Sequence, residues 1–548
     1  MSTTSAHATI TPEPVVRLEN YFQEPYNLAI ATARTCYSSK IISSEDVGKD
    51  DKSREQRDRI AESIYKAGHH TTIQHPTFQF VLEKVSRQFL WSFLHAHPFY
   101  NSEQVSQRFV EVKPDNFTIP PLDEPARAIY LDAVHAQMDA YHRLIDLVEP
   151  TVAAEYRRIF PSRDLSEKRW MSAVKKRCQE VARYALPVAT HAHLYHTVSG
   201  LTLHRYWRLC QQFDAPLEQR IVVQRMVDEV SKIDPNFMAL AEEPIPFEQT
   251  AEYEAFQQFH GASRNGLPAE APARAASSAA GGSAQAGTTT RFLEEFDQEL
   301  GGMTSKLVDY KVNAEASLAQ AVRSVLGLTK DQLSIPQAIA LVLDPTKNRY
   351  LSESLTLTTV SKLSRALVHP HFTFKKKLSH TADSQDQRHR MVPASRPILI
   401  CHFISGTPDY VLPPLIAASP EAEAVYREIM ARIWIAIEKL LTLGVSKEHA
   451  LYLLPNAFPI RFEESGDLLH FHHKWVQRLC YTAQEEIWNA CRDEVLQVTA
   501  RFPEIGKFIQ APCWPRAQAG KRPFCPEGDR FCGVAVWKLP VERYTRLI

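Results

Sequence analysis

His369-Pro370-His371-Phe372-Thr373-Phe374, then Ser379, then Arg388-His389-Arg390, repeats a pattern already met earlier in the chain. The first occurrence is His75-Pro76-Thr77-Phe78-Gln79-Phe80, then Ser86, then His95-Ala96-His97. Nine positions separate the serine from the first basic residue in both. Further on, Leu186-Pro187 and Leu454-Pro455 are each followed by a His-rich stretch with helical spacing. One coincidence would mean little, but three in the same order imply a duplication. Phe78 and Phe80, like Phe372 and Phe374, alternate with polar residues, which is the period of a half-buried strand. The ten or so residues after each strand read as a helix leading to the basic triplet. Residues 125–160, 166–185, 200–232 and 420–443 also carry helical spacing. The expected class is α+β, twice over, with helices predominating.

Between the copies the composition changes. Residues 261–290 read GASRNGLPAEAPARAASSAAGGSAQAGTTT, almost without large apolar side chains. Such a stretch buries too little surface to offset its ordering entropy, so it is expected to be a flexible, protease-sensitive tether. The expected domains are therefore 1–260, the linker 261–290, and 291–548. The chain has 548 residues, enough for two or three domains, and 44% hydrophobic content suits sizeable cores. Lys+Arg and Asp+Glu are equal at 63 each, which gives no overall field for nucleic acid or membrane. The N-terminal residues have neither the basic start nor the apolar run of a signal peptide, and no stretch reaches a membrane-spanning length. Nine cysteines, an odd number, suit reduced thiols. A cytoplasmic setting is expected.

The second copy's Arg388-His389-Arg390, with Gln385 before it, resembles the signature of the flavin-dependent thymidylate synthases, Arg-His-Arg followed after seven residues by a serine. Glu103, Ser106, Gln107, Arg108 and Phe109 of the first copy resemble the motif's other end, Ser-x-Arg-aromatic. Thr71 and Gln74 within Gly68–His75, Ala33-Arg34-Thr35, and Ala182-Arg183-Tyr184-Ala185-Leu186-Pro187 are similar to further family segments. So are Leu454-Pro455-Asn456-Ala457, Asp467, His473, Arg478 and Ala483-Gln484 with Glu486-Ile487 in the second copy. The resemblance spans most of both halves. It implies two thymidylate synthase-like domains, each a small, mostly antiparallel sheet packed with several helices, forming a pseudo-dimer. It also implies FAD as cofactor, with methylenetetrahydrofolate and NADPH as co-substrates. A homodimer resembling the family's tetramer would follow.

The departures carry information too. The first copy has His-Ala-His for Arg-His-Arg, eight residues rather than seven before Ser106, and Cys210 where the family places its nucleotide-activating arginine. The second keeps Arg478 there but has only Ser395-Arg396 near the lost Glu-x-Ser-x-Arg end, and Leu451 where the first has Arg183. Each copy lacks what the other retains, so one composite site could survive. Its expected nucleotide contacts are Glu103, Ser106, Gln107, Arg108, Arg183, Gln385 and Arg388. Ser106 and Arg108, two apart on an extended loop, would aim at one phosphate, which suits an arginine fork. The resemblance gives Arg478 the catalytic role, with preorganised positive charge beside the pyrimidine. It assigns the flavin to Arg388, His389, Arg390, Asp467, His473, Thr71 and Gln74.

Blander readings stand beside these. A triplet of basic residues is ordinarily a solvated surface run, and His95 and His97 read as a remnant. His191, His193 and His196 have no carboxylate or cysteine in step with them, and Cys513, Cys525 and Cys532 lack a fourth ligand and zinc-finger spacing, so no metal is expected. Two other functions remain open on the sequence. One is a related flavoenzyme acting on a different pyrimidine nucleotide; the other is an inactive nucleotide-binding paralogue serving as a scaffold.

Overall fold

The computed structural model describes residues 9–95, 99–212, 214–260 and 281–546. Two four-stranded antiparallel sheets carry the same topology. The first contains β1 (Val15–Tyr21), β2 (Thr77–Ser86), β3 (Tyr100–Gln104) and β4 (His191–Ser199), in the order β1-β2-β4-β3. The second contains β5 (Ser305–Tyr310), β6 (His371–Ser379), β7 (Ala394–Ser395) and β8 (Pro459–Asp467), in the order β5-β6-β8-β7. The duplicated α+β class expected from the repeats is therefore what the chain adopts.

The alternating phenylalanines explain the central strands. Phe78, Phe80, Phe372 and Phe374 are all fully buried, each on the covered face of its strand. Thr77 pairs with Ser199 in one sheet and His371 with Asp467 in the other, which aligns the copies residue by residue. The copies differ between Leu82 and Val85, where the register shifts and Lys84 takes a φ of 56°. That bulge gives β2 ten residues against nine in β6.

Three expected helices form as Ala126–Ile159, Lys168–Ala182 and Pro420–Thr442. The fourth, read as one helix over 200–232, is two: Gly200–Arg208 and Pro216–Ile233. Pro216 cannot donate to a preceding turn and pushes Ala215 out of the helical region, to φ −136° and ψ 56°. Residues 261–280 of the expected tether lie outside the described residues. Residues 281–290 begin the helix Gly281–Leu300, which Leu293, Phe296 and Leu300 anchor by burial at helical spacing.

The compact units do not follow the copies. One comprises Met1–Ala136, Pro187–Thr288 and Ile433–Leu454; the other comprises Gln137–Leu186, Thr289–Arg432 and Pro455–Ile548. Each unit thus takes a Leu-Pro approach segment from the opposite copy. In the first, Val188 and Ala189 donate their amides to Leu454 O and Tyr452 O at 2.8 and 3.1 Å. In the second, Asn456 and Ala457 donate theirs to Leu186 O and Tyr184 O at 2.8 and 3.0 Å.

Candidate functional site

The exchanged segments bring a tyrosine to a buried serine–glutamate pair in each unit. Glu486 accepts from Ser379 N at 2.5 Å, Ser379 Oγ at 2.6 Å and Tyr184 Oη at 2.6 Å. Glu218 accepts from Ser86 N at 2.7 Å, Ser86 Oγ at 2.6 Å and Tyr452 Oη at 2.7 Å. Burial pushes both carboxyls above the usual range, and the hydroxyl donors only partly offset it. Ser379 also caps the helix His380–Asp386 by accepting from Ala382 N. It therefore fixes the start of the segment that carries Arg388-His389-Arg390.

That helix ends before the triplet, so the three residues follow it in a turn rather than on the helix itself. Arg388 is exposed, while His389 and Arg390 are half-buried. Opposite them runs the helix Leu468–Arg478, capped by Asp467, whose carboxylate accepts from His470 N at 3.1 Å and His470 Nδ1 at 2.8 Å. At its last turn, Arg478 Nε donates to His389 Nε2 at 2.8 Å, and Arg478 Nη2 donates to Gln385 O at 3.0 Å. The His473 ring lies 6.1 Å from His389. Burial, then the charges of Arg478 and Lys474, hold His389 well below the usual imidazole pKa. A neutral ring with a bare Nε2 is what the Arg478 bond requires.

Arg183, although it comes from the first copy, belongs to this same unit. It is buried, its Nε donates to Glu180 O at 3.1 Å, and its own carbonyl accepts from Asn456 Nδ2 at 3.0 Å. Gln385, expected to face substrate, offers Arg478 its backbone oxygen while its side chain turns back to Thr381 O. The structure thus joins Arg478, His389 and Gln385 directly.

The remaining expected contacts lie in the first unit. Thr71 and Gln74 are exposed on the 3-10 turn His70–Gln74. Glu103, on β3, is exposed opposite Tyr195. Arg87 fixes the exit of that strand by donating to Gln104 Oε1 at 3.0 Å and Val105 O at 2.7 Å. Ser106 and Arg108 are not on an extended loop, as the sequence suggested. The chain turns there: Ser106 Oγ accepts from Arg108 N at 3.2 Å, and Ser106 O accepts from Phe109 N and Val110 N. Gln107 is buried inside the turn. His95 packs edge-on against Trp91, while His97 lies outside the described residues.

The register makes the copy differences exact in position. Ser199 and Asp467 both cap a helix; eleven residues beyond them stand Cys210 and Arg478. Burial raises the Cys210 thiol to about 11, so an inert buried thiol occupies the arginine's place. Ser102 and Ala394 both pair with the matching residue of the neighbouring strand, His196 and Glu464. Counting on from that pairing, Ile398 and Ile400 fall where Ser106 and Arg108 fall. Arg396 takes the place of Gln104 and forms a buried two-pronged pair with Asp383, at 2.8 to 3.1 Å.

A wide groove of about 1070 Å³ also belongs to the second unit. Lys311, Lys330, Lys362 and Arg365 line it, and no ion-pair partner for them occurs among the described residues. All nine cysteines are free. No group of three His, Cys, Asp or Glu side chains among the described residues could hold a metal ion. No helix among them is long and apolar enough to cross a membrane.

Sequence reasoning passed over Glu486 as a site-building residue and missed the groove. The Ala483-Gln484-x-Glu486 segment was a usable signal for the first. The groove's cations are scattered over 50 residues of unremarkable sequence and gave none.

Residues 17–236 and 306–504 each match the family model described as thymidylate synthase complementing protein. Over 224 residues the chain is 29% identical to the flavin-dependent thymidylate synthase of Clostridium tetani (strain Massachusetts / E88), covering 40% of this chain and 84% of that protein. The protein of the same name from Nitratidesulfovibrio vulgaris is 28% identical over 182 residues, 31% of this chain and 71% of that protein. A UMP/dUMP methylase, PolB from Streptomyces cacaoi bound with 5-Br dUMP, is a remote structural likeness: 18% identity, 41% of this chain, 93% of that chain, TM-score 0.27. With the family model matched twice in series over more than half its length, the chain belongs to the thymidylate synthase complementing protein family, the flavin-dependent thymidylate synthases, as a tandem duplication.

Proposed function

We propose that the chain methylates deoxyuridylate to thymidylate, with FAD as cofactor, methylenetetrahydrofolate as carbon donor and NADPH as reductant. The observation that carries this reading is Arg478, held by neutral His389 and by Gln385 O in one copy while Cys210 stands in its place in the other. A fixed guanidinium beside a uracil ring stabilises the anion formed at N3 and so raises electron density at C5. Ser106 and Arg108 of the first copy supply the nucleotide's phosphate contacts, because the second has Ile398 and Ile400 instead. Arg183 is a third contact. One working site would thus draw on both copies, within one chain or across a homodimer.

The donor set of the second unit fits FAD. Arg388 and Arg390 flank His389, and Gln387 Oε1 is buried without a protein partner. Arg388 and Arg390 would hold the cofactor's phosphates, with His389 and His473 beside its ring. When bound, FAD supplies the reducing equivalents for the methyl transfer. The test is direct: the purified chain should be yellow and should form thymidylate from deoxyuridylate only when methylenetetrahydrofolate and NADPH are both present. A colourless chain, or one that leaves deoxyuridylate unchanged, refutes the reading.

Replacing Arg388 and Arg390 together by alanine should lower FAD affinity at least about tenfold, since charge-assisted contacts contribute roughly 1.5–3 kcal/mol each. Fluorescence titration of the folded double variant measures this; unchanged affinity would place the flavin elsewhere.

A further inference from the structure

The second unit buries five charges directly behind Arg478 and His389. Lys376, Lys474, Glu464 and Glu494 are completely buried and Asp386 is 1% exposed. Lys376 Nζ reaches Asp386 Oδ2 at 3.0 Å, Glu464 Oε2 at 3.1 Å and Glu494 Oε1 at 2.9 Å. Lys474 Nζ reaches both oxygens of Asp386 at 2.9 Å and bonds Glu464 as well. Trp475 Nε1 donates to Glu494 Oε2 at 2.6 Å, and Ser305 Oγ to Glu494 Oε1 at 2.9 Å. Two ammoniums face three carboxylates, and every member has partners.

At the matching positions the first copy holds no such cluster. By the register above, Leu82, Phe93, His196, Tyr206 and Met226 stand where Lys376, Asp386, Glu464, Lys474 and Glu494 stand. There the Phe93 and Tyr206 rings pack at 4.4 Å, His196 Nε2 meets Tyr206 Oη at 3.1 Å, and Leu82 and Met226 lie in the apolar core. The same place in the same fold can therefore be filled without charge. Buried ion clusters are commonly no more stabilising than well-packed apolar residues of like volume. Stability alone does not account for the charges in the second copy.

Their placement does. Lys474 and Arg478 are four residues apart on one helix, so they share a face, one turn from each other. Asp386 ends the opposing helix, its carbonyl accepts from His389 N at 3.0 Å, and Gln385 O beside it receives Arg478. The Lys474–Asp386 pair and the Arg478–His389 bond are consecutive rungs between the same two segments. A slip of one helix along the other would break both. Of the two copies, only the one that kept the arginine has the ionic rung.

We propose that Lys474 and Asp386, braced by Lys376, Glu464 and Glu494, are positioning residues that lock these two segments in the register delivering Arg478 to His389. The proposal rests on the catalytic reading of Arg478 and adds the device that aims it. Burial raises the Asp386 carboxyl, but the Lys376 and Lys474 ammoniums outweigh this and hold it well below the usual range. Asp386 therefore stays ionised across the working pH range.

The test grafts the first copy's solution onto the second: Lys376→Leu, Asp386→Phe, Glu464→His, Lys474→Tyr and Glu494→Met together. Asp386→Asn, which keeps shape and loses charge, is the second variant and decides the matter if the graft does not fold. Each folded variant is read in two ways. Nitrogen-15 NMR of His389 should show an unprotonated Nε2 bonded to Arg478 in the wild type, and loss of that signature in the variants. Steady-state kinetics should show kcat falling about tenfold or more with KM for deoxyuridylate changed less than threefold. Wild-type kcat and an intact His389 signature in a folded variant would overturn the proposal. If instead Arg478→Ala itself keeps wild-type kcat, the catalytic reading fails; the NMR readout still reports whether the charges set the register.

Discussion

Arg478→Ala is expected to lower kcat for deoxyuridylate by about 10²–10³-fold, the usual cost of removing one preorganised charge from a reacting centre. The fold should survive, because the half-buried side chain makes its resolved bonds to His389 Nε2 and Gln385 O at a helix end rather than inside a core. KM should move less than kcat, since the charge is needed most where anionic character develops. Cys210→Arg provides the internal control. That position lies in the first copy, where Cys210 is fully buried in the apolar core cluster, and an arginine placed there is expected to add no activity. Circular dichroism and steady-state kinetics of both variants settle the point. An Arg478→Ala enzyme with wild-type kcat would remove the residue from the chemistry.

Glu486→Ala is expected to destabilise the second unit by about 3 kcal/mol or more, since it strands the buried donors of Ser379 N, Ser379 Oγ and Tyr184 Oη. Glu486→Gln keeps an acceptor in place and should cost only about 1–2 kcal/mol. Tyr184 belongs to the first copy and Glu486 to the second, so the loss would be felt through the exchanged segment. Combining Tyr184→Phe with Glu486→Ala should cost clearly less than the two single changes added together, because both remove one shared bond. Urea denaturation of the four proteins measures this; strict additivity would mean that the tyrosine and the carboxylate stabilise the unit independently.

The duplication was legible because strands advertise themselves by period two and because two rare triplets recur at the same spacing. The inward phenylalanines of β2 and β6 came directly from that period. The same period held a further clue: continuing Phe372 and Phe374 by two points Lys376 inward, the middle of an otherwise ordinary-looking lysine run. Charge composition alone disguised it as a solvated face. Glu464 on β8 follows Ile460 and Phe462 inward in the same manner. The exchange of Leu-Pro segments was not legible at all, since no local pattern says which copy a short segment will pair with. The break before Pro216 could have been read from the proline itself. The turn at Ser106–Phe109 could not, because the hydroxyl-to-amide bond that closes it depends on how Arg87 holds the preceding strand end.

Under the proposed function the two copies share one nucleotide site. Calorimetric titration of the FAD-loaded protein with deoxyuridylate measures its number directly, in the wild type and in Arg108→Ala, Arg478→Ala and Cys210→Arg. One nucleotide should bind per chain. Arg108→Ala should weaken that single site by about ten- to a hundredfold, as loss of one charge-assisted phosphate contact implies. Arg478→Ala should weaken the same site more modestly, and Cys210→Arg should leave it unchanged. Two independent sites per chain, or wild-type binding in Arg108→Ala, would contradict the account.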